Sequence, residues 1–134
     1  MTIKKFEVLI DKRGALLPVS LKKNLPFKTK RIFIIYGKKK YSRGQHAHLK
    51  CSQFLLPIKG SITIEYEHSG KKFQKHLSFD KKNYLLLKPK SWATIKFHSD
   101  KSILMVFCDR EYEYKDYIRN YKDYLKVIKK KWTY

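Results

Sequence analysis

Between Tyr41 and Gly60 the chain reads Y-S-R-G-Q-H-A-H-L-K-C-S-Q-F-L-L-P-I-K-G, which gathers Arg43, His46, His48, Lys50 and Gln53 into one short segment. Apolar runs flank it, so the segment reads as extended chain. Period-two alternation then places His46 and His48 on one face, with Lys50 further along it. Two imidazoles on one strand face can be half of a metal site, an acid/base pair, or surface decoration. Imidazole ionises near neutral pH, so such a pair can both take and give a proton. The basic surroundings, Arg13, Arg43 and Lys50, would tend to keep the rings neutral and would stabilise an enolate formed beside a carbonyl.

The elements that must position these residues are mostly strands. Ile3 to Ile10 alternates, Asp11 to Gly14 forms a turn, and Arg31 to Tyr36 is dense in β-branched and aromatic residues. Strand patterns recur over Cys51–Lys59, Ser61–Glu67, Phe73–Phe79, Asn83–Leu87, Trp92–His98 and Ser102–Cys108, with a hairpin at His68 to Lys71. A helical stripe begins only at Tyr114 and runs to Val127, with Asp109 and Asp116 near its start, where caps and the helix dipole favour acids. The expectation is one all-β domain over residues 1–134, a barrel or sandwich with a C-terminal helix.

Composition narrows the class. The 134 residues carry a formal net charge of +21, and 43% are hydrophobic. A chain of this length buries a real core without disulfides or metal. Cys51 and Cys108 show no paired-motif spacing and read as reduced thiols, which fits a cytoplasmic protein. No stretch has the length or apolarity of a signal peptide or membrane span. The lysines are spread from Lys4 to Lys131, as an A+T-rich coding sequence would give, so the charge reads as compositional drift ahead of a nucleic-acid face. An anionic small molecule would still benefit from the field.

The order His46-x-His48, then Gln53, then Gly60 has the spacing of the first motif of cupin jelly rolls, with glutamine where the metal-binding carboxylate belongs. Lys88 to Trp92 resembles the second motif, but Ala93 and Thr94 follow where a histidine could stand. Two imidazoles and an amide make a weak metal site. The expectation is therefore a cupin-like barrel without metal, left with acid/base chemistry.

From end to end the chain resembles the dTDP-4-keto-6-deoxyhexose 3,4-ketoisomerases, the WxcM-like metal-free cupins. The likeness is carried by Asp11-Lys12-Arg13-Gly14, by Lys30-Arg31 leading to Tyr36, and by Arg43-Gly44-Gln45-His46-Ala47-His48-Leu49-Lys50. Gln53, Gly60, Asp109 and the tail Asp116-Tyr117-Ile118-Arg119-x-Tyr121 complete it. The chain departs from the family at Ala93, where a histidine commonly follows the tryptophan.

The resemblance implies a proton-transfer isomerisation of dTDP-4-keto-6-deoxyglucose, without cofactor, in which His48 moves the carbon-bound proton and His46 the hydroxyl proton. Tyr36 would hydrogen-bond the sugar. Arg13, Arg31, Arg43, Lys50 and Gln53 would bind the rest of the substrate, and Trp92 or Phe33 would stack on thymine. It also implies a homodimer that exchanges an N-terminal strand, so that Arg13 serves the neighbouring site. The product would pass to a PLP-dependent sugar aminotransferase in surface-glycan biosynthesis. The Arg13-Gly14 pair is similar to the branch that forms the galacto (fucose) product. Competing readings are a non-catalytic nucleotide-sugar-binding cupin, an epimerase on the same ketosugar, and a nucleic-acid-binding barrel.

Overall fold

A computed structural model describes residues 6–132, with backbone alone for 130–132. Two antiparallel sheets face each other. One has the strand order β3-β10-β5-β8, formed by Arg31–Gly37, Ser102–Cys108, Gln53–Lys59 and Leu85–Leu87. The other has the order β11-β4-β9-β6-β7, formed by Tyr117–Ile118, Arg43–His48, Trp92–Phe97, Ser61–His68 and Lys71–Ser78. A separate hairpin joins β1 (Leu9–Asp11) to β2 (Gly14–Leu16), and the helix α1 (Tyr121–Trp132) ends the described chain. No described helix is long and apolar enough to cross a membrane.

The alternating strand patterns segregate as expected. Leu55, Ile62, Ile64, Leu77, Ile95, Phe97, Leu104 and Val106 meet between the sheets, each buried side chain contributing about 1.5–3 kcal/mol. The outer face of the four-stranded sheet is covered by the N-terminal arm. There Phe6, Leu25, Leu17 and Phe27 pack on Phe54, Leu56 and Phe107. The hairpin between β6 and β7 turns through Ser69 and Gly70, at φ 52° and 79°, the conformation that matches strand twist in a two-residue turn.

Two expectations change. The helix begins at Tyr121, not Tyr114; Asn120 caps it by accepting the amides of Lys122 and Asp123 at 2.8 and 3.3 Å. Residues Tyr114–Asp116 form a single 3-10 turn, and Tyr117–Ile118 joins the sheet beside His48 and Ala47. Asp116 is thus no helix cap. A short strand pairing won over the helical stripe because β4 offered an unpaired edge. The first strand starts at Leu9; the rest of the expected Ile3–Ile10 strand is Phe6 in the outer core, irregular backbone to Val8, and residues outside those described.

Candidate active site

The histidine strand owes its aim to a bulge. In the pairing of β4 with β9, Gly44 faces Thr94 and His46 faces Ala93, so Gln45 is an extra residue. Gly44 and Gln45 take φ 89° and 57°. A Cβ on Gly44 would lie 2.6 Å from the Ala93 carbonyl oxygen, so glycine is required there. Simple alternation would put Arg43 and His46 on opposite faces. The bulge returns both to the inner face, opposite Ile95 and Ala93 of the core.

His46 and His48 share that face as expected, their rings 5.2 Å apart and nearly perpendicular. His48 is 5% exposed. Its Nδ1 donates to Asp116 Oδ2 at 3.0 Å, while Asp116 Oδ1 accepts the Lys50 amide at 2.7 Å. His46 Nδ1 donates to the Gly44 carbonyl at 3.1 Å. Because each acceptor is an oxygen with no proton to give, both neutral rings carry their proton on Nδ1 and present an Nε2 lone pair. The Nε2 of His48 is buried with no partner. Burial pulls the His48 pKa below its ordinary value; the Asp116 carboxylate opposes this, and the charges of Arg31 and Arg119 add to it. Burial likewise lowers His46, assisted by the adjacent His48. Both imidazoles are therefore neutral bases at pH 7.

Tyr117 completes the cluster, its ring 5.2 Å from that of His46 and 4.3 Å from that of His48. The Arg119 guanidinium stacks on Tyr117 at 4.4 Å. A cavity of about 390 Å³ opens beside these groups, between the β3 edge and β4, floored by Leu55, Ile95 and Val106. Tyr36, Arg43, His46, Gln53, Phe33 and Tyr117 line it. A second cavity of about 20 Å³ lies deeper, bordered by His46, His48, Cys51 and Gln53.

The other expected residues sit elsewhere. Lys50 does not continue the histidine face, because β4 ends at His48; its side chain is exposed and its backbone amide holds Asp116. Trp92 points to the outer face, edge-on to Tyr121 at 5.3 Å and beside Tyr124. Of the two aromatic candidates, Phe33 is the one on the cavity. Arg31 lies over the Phe33 and Tyr112 rings at 5.5 Å each, and donates to Cys108 Sγ at 3.5 Å. Arg13 sits in the exposed β1–β2 hairpin, paired with Asp11 at 2.6 Å. Among the described residues, His48, Cys51 and Asp116 form a group with potential ligand atoms within 4.8 Å of one another, and within it His48 Nδ1 already hydrogen-bonds Asp116 Oδ2.

A family model described as FdtA, WxcM-like, C-terminal, matches residues 1–129. The chain belongs to this family. The TDP-4-oxo-6-deoxy-alpha-D-glucose-3,4-oxoisomerase of Aneurinibacillus thermoaerophilus is 32% identical over 126 residues, covering 93% of this chain and 90% of that one. QdtA, a sugar 3,4-ketoisomerase from Thermoanaerobacterium thermosaccharolyticum solved in complex with TDP, matches with a TM-score of 0.85 at 32% identity, covering 95% of this chain and 93% of that chain. WlaRA, the TDP-fucose-3,4-ketoisomerase of Campylobacter jejuni, matches at 0.81 and 30% identity, covering 94% of this chain and 93% of that chain.

Within this family site, sequence reading left the contact between Asp116 and His48 unseen, together with the packing of Tyr117 on both rings. The D-Y-I-R string was visible, but nothing local ties positions 68 residues apart.

Proposed function

We propose that this family member is a 3,4-ketoisomerase that converts TDP-4-keto-6-deoxyglucose to the 3-keto sugar by histidine-mediated proton transfer. One observation carries the reading: His48 has its Nδ1 proton fixed by a buried carboxylate and its Nε2 buried without a partner, next to a second histidine whose Nδ1 proton is held by the Gly44 carbonyl. His48, backed by Asp116, is the stronger base and takes the proton from C3. The C3–H electrons form a C3=C4 double bond, and the electrons of the C4 carbonyl bond move onto O4. His46 relays the hydroxyl proton from O3 to O4, and protonated His48 returns a proton to C4. The ketone then rests at C3, and no net proton or electron is gained. Tyr117 and Tyr36 hydrogen-bond the sugar oxygens, Arg43 and Gln53 bind beside them, and Phe33 stacks on thymine.

The active form is a homodimer. β3 is the open edge of its sheet and exposes Ile32, Ile34 and Tyr36, while Leu9, Ile10 and Leu16 of the hairpin are more than half exposed. An apolar hairpin in solvent and an apolar open edge suit exchange between two copies. Arg13 then serves the partner's site, and the Arg13-Gly14 resemblance favours the galacto product. A PLP-dependent aminotransferase would consume it.

The test is an NMR time course with dTDP-4-keto-6-deoxyglucose in D2O, with EDTA present. The expected result is a 3-keto sugar with deuterium at C4, formed by wild type and not by His48→Asn. The C4 configuration is read from the same spectrum. Exchange at C3 without ketone migration would replace this reading with an epimerase. No exchange from folded protein would replace it with a ligand-binding cupin.

A further inference from the structure

The Tyr117 ring meets both imidazoles and lines the open cavity, yet its backbone does not choose its rotamer. Its strand, β11, is two residues long, and pairing with His48 and Ala47 sets only the face on which the side chain stands. The ring is placed by its neighbours: His46, His48, Tyr112 at 5.5 Å and the Arg119 guanidinium at 4.4 Å. Arg119 is itself held. Its guanidinium carbon lies 4.3 Å from the centre of the Tyr114 ring, and Nη1 donates to the Tyr114 carbonyl at 3.4 Å. On one side Ile118 is buried and paired in β11; on the other Asn120 caps α1. Among the described residues no carboxylate forms an ion pair with Arg119. An exposed arginine whose described partners are two rings and a carbonyl directs its charge at aromatic faces, to which the ring quadrupole attracts it.

We propose that Arg119 is a positioning residue of the active site, whose guanidinium clamps the Tyr117 ring against the histidine pair and strengthens the Tyr117 hydroxyl as a donor to the substrate. The effect on turnover rests on the isomerase reading above; the clamp itself does not. A cation on the face of a phenol draws electron density from the ring and makes its O–H a better donor. The oxygen that needs such a donor is O4, on which negative charge grows as C3 loses its proton. Tyr117 lines the open cavity and Arg119 does not, so Arg119 acts through Tyr117 and not by touching the sugar.

The same charge bears on the imidazoles and supplies an independent readout. Besides each other, the titratable and charged groups around the two rings are Asp116, Arg31, Arg119, Tyr117 and Cys51. Arg119 opposes protonation of both rings, Arg31 opposes it at His48, and Asp116 favours it there. A ring held neutral by a neighbouring cation takes up its proton at higher pH once that cation is removed. Loss of the Arg119 charge must therefore move both histidine titrations upward, whereas a purely structural surface arginine would leave them in place.

The experiment compares wild type, Arg119→Gln and Arg119→Lys as full-length proteins. Histidine-ring NMR of the free protein gives the titrations of His46 and His48 and the ring-current shift that Tyr117 imposes on them. With dTDP-4-keto-6-deoxyglucose, kcat and KM are read separately. Arg119→Gln should raise both titrations, reduce the ring-current shift on His48 and lower kcat about fivefold, the worth of one exposed cation–π contact. KM should change by less than about twofold, because no contact with the bound sugar is lost. Arg119→Lys keeps the charge without the planar stack, so the titrations should stay at their wild-type positions while kcat recovers only in part. In folded Arg119→Gln, unmoved titrations, an unmoved ring-current shift, or a raised KM at unchanged kcat would each overturn the proposal. Should Arg119→Gln not fold, Arg119→Lys with wild-type ring-current shift and kcat would overturn it. If the wild type shows no turnover, the isomerase reading has failed, while the ring-current shift and titrations still decide whether Arg119 clamps Tyr117.

Discussion

Replacing Asp116 with asparagine separates orientation from structure at the proposed base. The carboxylate is 8% exposed and has two partners, the Lys50 amide at 2.7 Å and His48 Nδ1 at 3.0 Å. Asparagine is isosteric and can keep the first bond through its carbonyl oxygen. Its amide NH2 then faces His48, and an NH2 donates where the carboxylate accepted. The ring answers by moving its proton to Nε2, which removes the lone pair the reaction needs. Restoring the active tautomer sets two N–H donors against each other in a buried place, at a cost of about 2 kcal/mol or about 30-fold in rate. The lost charge on the acceptor removes about 2–3 kcal/mol more from the imidazolium formed in the transition state, another 30- to 150-fold or so. Together kcat should fall by about 10³ in the NMR or a coupled assay, a smaller loss than the roughly 10⁴ of the corresponding change in a serine protease triad. The melting temperature should fall by less than about 8 °C, since the Lys50 bond survives. The acid limb of kcat/KM should also move further to acid, because the carboxylate is what raises the His48 pKa against its burial. A folded D116N enzyme with kcat within about fivefold of wild type and an unmoved acid limb would refute the reasoning.

The same geometry carries three further outcomes. The active form of both histidines is neutral and burial lowers both pKa values, so kcat/KM should hold from neutral pH down past about 6.5 and fall only below it; an acid limb above that value would contradict the site. Gly44→Ala places a Cβ 2.6 Å from the Ala93 carbonyl at φ 89°, and should cost about 2 kcal/mol or more in urea unfolding while displacing His46 and lowering kcat. If Arg13 serves the partner's site, inactive Arg13→Ala and His48→Asn dimers, mixed after subunit exchange, should regain roughly a quarter of wild-type sites; no recovery, with exchange shown by mass, would place Arg13 outside the partner's site.

Local periodicity, and the strands and faces it implies, was legible in the chain alone. Alternation in Ser61–His68 and Trp92–Phe97 marked the strands, a turn was readable at Ser69-Gly70, and the spacing of two put His46 and His48 on one face. The R-G-x-H-A-H-x-K string and the D-Y-I-R tail carried the family. Everything that depends on partners distant in the chain was settled by the folded arrangement instead. The stripe from Tyr117 to Ile128 has helical spacing, yet Tyr117–Ile118 became a strand, because pairing with β4 satisfied backbone groups that a longer helix would have left open at that edge. Arg43 joined the histidines only through the bulge at Gln45, which breaks the very alternation that a sequence reading relies on. Trp92 went to the outer face because its neighbour Ala93 went inward. Asp116 passed from helix cap to histidine partner, and Asp109 met the Ser52 amide, for one reason: sheet register brings together residues 57 to 68 positions apart, and no local pattern records which of them will touch.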